Sequence, residues 1–77
     1  MRLCELKVGQ CGVVVALNTE GDMRRRLSDI GLVNGTIVKC VGRSPGKDPA
    51  AYLIRGAVIA IRDGDCADIL IERRDLL

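Results

Sequence analysis

Histidine, tryptophan and phenylalanine are absent from this 77-residue sequence, and Tyr52 is its only aromatic residue. Without histidine the chain lacks the side chain that most often exchanges protons near neutral pH. No phosphate-binding loop or nucleophile elbow is present either. The core must be built from Val, Ile, Leu, Ala and Cys, and the β-branched residues among them suit pleated sheets. We therefore expect a small β-rich domain that is not an enzyme.

Long apolar runs are also missing. The longest candidate, residues 13–17, has the length of one strand and falls far short of the ~18 residues of a membrane span. The N-terminus lacks the apolar segment of a signal peptide, so we expect a cytoplasmic protein. The four cysteines, Cys4, Cys11, Cys40 and Cys66, should then be free thiols, because disulfides form mainly in exported proteins. We expect Cys11, Cys40 and Cys66 to act as small buried hydrophobic residues.

Short apolar runs separated by scattered glycines predict several short strands. These strands are predicted at residues 11–17, 36–43, 51–55, 57–62 and 68–72, with turns at residues 34–35 and at Gly56 and a turn or single helical turn at residues 63–67. Between the first two strands, Met23, Leu27 and Ile30 recur at helical spacing, which predicts one helix near residues 22–30. Asp22 is the predicted N-cap of this helix, and Gly31 its left-handed C-cap. The predicted fold is mainly all-β: one domain over residues 1–77, a five-stranded bent barrel with one short helix after the first strand.

Charge is distributed unevenly along the chain. Residues 36–62 contain five Lys or Arg residues against Asp48 alone, whereas the tail from Asp63 contains five acids against two arginines. The basic run at residues 24–26 is surrounded by Glu20, Asp22 and Asp29. Nearby acids weaken phosphate binding, and a single aromatic residue offers little base stacking. We therefore expect no nucleic-acid binding.

Evidence for a metal site is weak. The cysteines show no C-x-x-C spacing and have no histidine to join them, so a structural zinc site is not expected. Cys4, the cysteine nearest an end, is the best candidate for an exposed thiol. Asp63, Asp65 and Asp68 could hold a hard cation, but the twelve-residue calcium-loop pattern is missing. The sequence thus predicts no cofactor beyond weak binding of Fe²⁺ or another divalent metal.

Residues 25–36, Arg-Arg-Leu-Ser-Asp-Ile-Gly-Leu-Val-Asn-Gly-Thr, resemble the signature of the FeoA family, ferrous iron transport protein A. Pro45 with Asp48-Pro49 resembles the family's loop before its central hairpin, and Ile61-Arg62 resembles a Leu-Arg pair of the family. Two positions depart from the pattern: Asn34 replaces a usual Pro, and Gly46 replaces a common Leu.

The resemblance implies an SH3-like barrel that assists FeoB, a large membrane transporter of Fe²⁺, through protein–protein contact. It places the protein in the cytoplasm, peripheral at the inner face of the membrane, and in contact with the membrane only through FeoB. A homo-oligomer is compatible with the resemblance. The alternative function is a small transition-metal sensor or carrier, related to the SH3-like domain of metal-dependent repressors.

Partner contact is predicted on the outward side of the helix and on the turn that follows it. The residues of this predicted surface are Arg24, Arg25, Arg26, Ser28, Asp29, Leu32, Val33 and Asn34. A second set, with a structural role, shapes the helix and turn: Met23, Leu27, Ile30, Gly31 and Gly35. The other interpretation of the same segment is a lid on the barrel, with arginines that serve only solubility.

Overall fold

The computed structural model describes residues 1–46 and 48–74. Lys47, one of the five Lys and Arg residues between positions 36 and 62, lies outside these ranges. The elements are a 3₁₀ turn (Leu3–Glu5), β1 (Cys11–Leu17), α1 (Gly21–Asp29), β2 (Ile37–Arg43), β3 (Ala50–Ile54), β4 (Ala57–Ile61), α2 (Asp63–Cys66) and β5 (Ile69–Arg74). Their order confirms the predicted mainly β fold with one short helix after the first strand, and α2 is the predicted single helical turn.

All five strands join one antiparallel sheet in the order β4-β3-β2-β1-β5. The register shifts between Val14 and Ala16 in β1 and between Cys40 and Gly42 in β2. Bulges of this kind bend a strand and increase its twist, which lets a short sheet curl around its own core. A bridge between Arg2 and Leu70 extends the pairing beyond β5.

The core lies on the inner side of this curved sheet. Its fully buried members on the strands include Val38, Tyr52, Ile54 and Ile69. The N-terminal segment also enters the core through Leu3 and Leu6, which are fully buried. Arg43 fixes that segment in place, because its Nη2 donates hydrogen bonds to the carbonyls of Cys4 (2.9 Å) and Leu6 (2.6 Å).

Helix α1 packs as its spacing predicts, with Leu27 buried and Met23 and Ile30 half-buried against the core. Its C-terminus is closed as predicted by Gly31, whose φ is +88°. The N–H of Gly31 bonds to Ser28 O (3.0 Å) and that of Leu32 to Leu27 O (2.9 Å). This pair of bonds is the Schellman motif, which satisfies carbonyls that the helix leaves free.

The predicted N-cap is wrong. The helix begins at Gly21, and Glu20 occupies the N-cap position without a side-chain hydrogen bond to the first turn. Gly21 has a φ of +66°, a conformation that glycine adopts without steric cost. Asp22 therefore lies inside the first turn, where its negative charge still interacts favourably with the helix dipole.

All four cysteines are free thiols, and Cys40 and Cys66 are buried as expected. Cys11 is only half-buried, because it occupies an outward position of β1, opposite Lys39 and Arg74. Cys4, the expected exposed thiol, is also half-buried, because the 3₁₀ turn that carries it packs against the core.

Candidate interaction surface

A groove of about 140 Å³ runs between α1 and strand β4. It is lined by Met23, Arg26, Leu27, Ile30, Ile59, Ala60 and Ile61. Its walls are apolar except for Arg26, whose exposed side chain forms no ion pair or hydrogen bond within residues 1–46 and 48–74. The arginine stem can cover apolar surface while its guanidinium group stays in water. Arg26 therefore lies at the boundary between the apolar and the polar side of the helix.

The rest of the helix surface is polar and exposed. Arg25, Ser28 and Asp29 are all exposed, as the helical spacing predicts. Arg25 and Asp29 are four residues apart, as are Asp22 and Arg26, so their side chains are neighbours on the helix surface. The outward side of α1 therefore carries charges of both signs beside an apolar groove.

Arg24 is exposed, as the helical spacing predicts, but its guanidinium group is not free of contacts. Its Nη1 donates a hydrogen bond to the carbonyl of Leu17 (2.9 Å), with a longer contact to that of Thr19 (3.5 Å). Leu17 ends β1, and Thr19 lies in the connection to the helix. Arg24 therefore ties α1 to the end of β1, a contact that the spacing of residues along one helix cannot reveal.

The turn after the helix is held by the buried hydroxyl group of Thr36. This hydroxyl accepts a hydrogen bond from Val33 N (3.1 Å) and donates one to Gly31 O (2.8 Å). The predicted turn at residues 34–35 is present, with Thr36 N bonded to Val33 O (3.0 Å) and a φ of +89° at Gly35. A bond from Gly35 N to Val14 O (2.7 Å) fixes the turn to β1.

Within the predicted contact set, the turn contributes less surface than expected. Leu32 is fully buried, so it belongs with the structural residues and cannot contact a partner. Val33 is half-buried, and Asn34 is exposed. Arg55, which the sequence did not single out, lies over the helix end and donates from Nε to Gly31 O (3.2 Å). A Cβ atom at Gly31 would overlap the Arg55 side chain, which would have to move, so glycine is needed here mainly for its φ of +88°.

The four metal candidates are not brought together. Within residues 1–46 and 48–74, no group of three or more His, Cys, Asp or Glu side chains could hold a metal ion. Asp63 and Asp68 are exposed, Asp65 and Cys4 are half-buried, and the backbone N–H of Asp63 donates to the Asp48 carboxylate (3.0 Å). Metal binding at these residues stays a prediction without a preformed site.

One buried pair of ionisable groups lies inside the barrel. The Cys66 thiol donates to the Tyr52 hydroxyl oxygen over 3.6 Å. Burial raises the pKa of Cys66 to about 11, and burial also raises the pKa of Tyr52. Both groups therefore keep their protons at neutral pH and serve packing, since a thiol must lose its proton to bind a metal or attack an electrophile.

No helix in the described part of the chain is both long and apolar enough to cross a membrane.

The fold defines the class of protein first. A five-stranded antiparallel barrel of this form is an SH3-like domain. It is similar to the zinc-complexed FeoA of Stenotrophomonas maltophilia, described as a prokaryotic SH3 domain protein (25% identity, TM-score 0.83, 94% of this chain and 89% of that chain). It also resembles the FeoA protein of Chlorobium tepidum (33% identity, TM-score 0.89, 95% of this chain and 70% of that chain).

The family follows from the sequence as a whole. The FeoA domain model matches residues 1–73, so this chain belongs to the FeoA family. The chain is also 35% identical over 72 residues to the "Fe(2+) transport protein A/Fe(2+) transporter FeoB fusion protein" of Porphyromonas gingivalis. That match covers 94% of this chain but spans only 8% of the length of the fusion protein. The predicted family and the predicted SH3-like fold are confirmed.

Proposed function

We propose that this chain is a cytoplasmic accessory protein of ferrous iron uptake that binds a FeoB-type membrane transporter. The observation that carries the proposal is the Porphyromonas gingivalis fusion protein, in which a relative of this chain shares one polypeptide with FeoB. Joining two domains in one chain raises their effective concentration for each other, which benefits domains that act together.

The contact surface on this chain would be the groove beside α1 together with the exposed side of the helix. The groove supplies apolar area, and Arg26 and Arg25 supply cations at its rim. Arginine is enriched at protein interfaces, and its planar group pairs well with carboxylates. The lid interpretation explains the buried Leu27 and the closing Gly31, but it gives Arg26 only a solubility role and does not account for its place beside an open apolar groove.

The experiment is a double charge reversal, Arg25→Glu with Arg26→Glu, tested for binding to the organism's own FeoB-type transporter and for iron uptake in cells lacking this protein. No ion pair among the described residues would be lost, and each new negative charge four residues from Asp22 or Asp29 costs about 0.2–0.5 kcal/mol, so the total cost should stay below about 1 kcal/mol. We expect binding and uptake to fall while the thermal midpoint holds. Arg24 is left unchanged, because its contact with Leu17 O would mix a folding defect with a binding defect.

The matched control reverses two exposed cations away from the groove, Lys7→Glu with Arg74→Glu. This control has the same net charge change, and we expect it to bind and support uptake like the unmodified protein. Normal binding by the Arg25/Arg26 variant would show that α1 is not the interface. Equal losses in both variants would mean that net charge, and not this surface, governs the association.

The competing function is a metal sensor or carrier, and the zinc-complexed relative from Stenotrophomonas maltophilia is the observation in its favour. Titration of the reduced protein with Fe²⁺ and with Zn²⁺ separates the two functions. An accessory protein should bind these metals weakly or not at all, and should still bind the transporter when metal is chelated. As a protein that acts by association, the isolated chain is also expected not to hydrolyse GTP or ATP.

A further inference from the structure

The outward face of β2, β3 and β4 carries apolar side chains where a solvated sheet face would carry polar ones. The exposed fractions are 54% for Ile37, 38% for Val41, 37% for Leu53 and 65% for Val58. The residues of the same strands that point to the inner face, such as Val38 and Tyr52, already form the core. In an antiparallel sheet with one buried face, alternation normally makes the other face polar. Packing of the barrel therefore does not account for these residues.

The pairing of the strands makes these residues contiguous. Leu53 of β3 lies directly opposite Val58 of β4 on one side and Lys39 of β2 on the other. Ile37 and Val41 lie two positions before and after Lys39 on the same strand, so they are diagonal neighbours of Leu53. We call the set Ile37, Lys39, Val41, Leu53 and Val58 the outer patch.

The charges of the outer patch and its rim are positive. Lys39 is exposed at its centre, and its side chain forms no ion pair or hydrogen bond within the described residues. Arg62, directly after β4, is exposed at its edge, and so is Arg55 at the turn between β3 and β4, although Nε of Arg55 also donates to Gly31 O. Between residues 36 and 62 the single acid is Asp48, in the loop between β2 and β3. The outer patch is thus an apolar surface with cations at its centre and edge and no carboxylate on it.

We propose that the outer patch binds directly to the surface of a membrane that contains anionic lipids. Ile37, Leu53 and Val58 would enter the interface, and the cations would meet lipid phosphates. A peripheral membrane contact is driven by buried apolar area together with attraction of Lys and Arg to anionic lipids. This contact would hold whether or not α1 binds a transporter, and it differs from the expectation that the membrane is reached only through a partner.

Shape and charge favour a membrane over a protein occupant. The outer patch lies on the face of a sheet, whereas the groove beside α1 is lined by the inner-face residues Ile59 and Ile61. A lipid surface needs no complementary cleft. Lysine is depleted in protein interfaces, while its long stem allows the ammonium group to reach the polar layer of a membrane. A face-to-face contact between two copies would bring two Lys39 side chains together.

The experiment measures partitioning of the purified protein onto two kinds of vesicle, phosphatidylcholine mixed with phosphatidylglycerol and pure phosphatidylcholine, by flotation over a range of lipid concentrations. We expect binding to the mixed vesicles at low salt, weaker binding at high salt and little binding to pure phosphatidylcholine. Each positive charge near an anionic surface raises the partition coefficient roughly fivefold. Lys39→Glu changes the charge by two units, so it should lower the partition coefficient roughly thirtyfold. Val58→Glu should lower it as well, by charging the most exposed apolar position.

Two matched variants control for charge and for loss of exposed apolar surface. Lys7→Glu removes an exposed cation outside the outer patch, and Val8→Glu changes a valine that is 57% exposed. These variants should keep nearly normal partitioning, and all four should keep the thermal midpoint. Failure of the unmodified protein to bind mixed vesicles at low salt would overturn the proposal and leave a protein occupant for the patch. Equal partitioning by the patch variants and their controls would overturn it too.

Discussion

The contact between Arg24 and the end of β1 predicts that two adjacent arginines differ sharply in their effect on stability. Arg24 Nη1 lies 2.9 Å from Leu17 O, whereas Arg25 is exposed without a described contact. A hydrogen bond from a charged donor contributes about 1.5–3 kcal/mol, and the partial exposure of this one places it at the low end. Arg24→Ala should therefore lower the free energy of unfolding by about 1–2 kcal/mol. Arg25→Ala, a surface change, should stay within about 0.5 kcal/mol.

Thermal and urea unfolding, followed by circular dichroism, measure this difference. For a domain of this size 1 kcal/mol shifts the midpoint by about 4–8 °C, so Arg24→Ala should melt roughly 5–15 °C lower. Both substitutions replace arginine with alanine in the same helix, so the change in helix propensity is the same for both and cancels when their free energies of unfolding are compared. Arg24→Lys, which keeps a donor, should fall between them. Equal midpoints for the two alanine variants would refute the structural role assigned to Arg24.

Three further predictions concern the turn and the thiols. Gly31→Ala should destabilise the protein by about 1–2 kcal/mol in urea unfolding, because alanine resists a positive φ and displaces Arg55; an unchanged midpoint would contradict this. The free energy of unfolding should decrease as the pH rises from 9 towards 11. The reason is that the pKa of Cys66 is about 11 in the folded protein against an ordinary value of 9.0, so the folded state holds this proton more tightly than the unfolded state. That loss approaches about 2–3 kcal/mol, the raised pKa of Tyr52 acts in the same direction, and Cys66→Ala should flatten the pH dependence. Alkylation of the native protein should modify Cys4 and Cys11 first, and all four cysteines only after unfolding; rapid native labelling of Cys66 would argue against its burial.

Periodicity predicted most of the fold, because the barrel is assembled from elements that each follow their own pattern. Strand β1 has the predicted bounds, and the helix differs by one residue at each end. The 3₁₀ turn at Leu3–Glu5 was missed, since three residues are too short to show a period. Its role depends on Leu3 and Leu6 reaching the core from the chain end, and on Arg43 binding the carbonyls there.

The candidate surface was predicted less well than the fold. Helical spacing correctly separated Leu27 from Arg25 and Arg26, because burial on a helix follows its 3.6-residue period. It placed Arg24 on the exposed side correctly, but it could not show the hydrogen bond of Arg24 to the end of β1. Leu32, assigned to the contact set with the turn after the helix, is buried because that turn closes the helix C-terminus. The outer patch was missed because alternation in a strand shows which residues share a face, but not which of the two faces becomes the core.

The position of β4 at the end of the strand order has a consequence for the unfolding chain and for neighbouring molecules in concentrated solution. Among the described strands β4 pairs only with β3, and its five residues, Ala57–Ile61, are all apolar. An uncharged edge strand rich in Val and Ile is a template for pairing with other chains, and natural proteins restrain such strands with flanking charges. Arg55 and Arg62 bracket this segment closely. Removal of both arginines would therefore be expected to cause irreversible aggregation on heating, even where the folded barrel itself is unchanged.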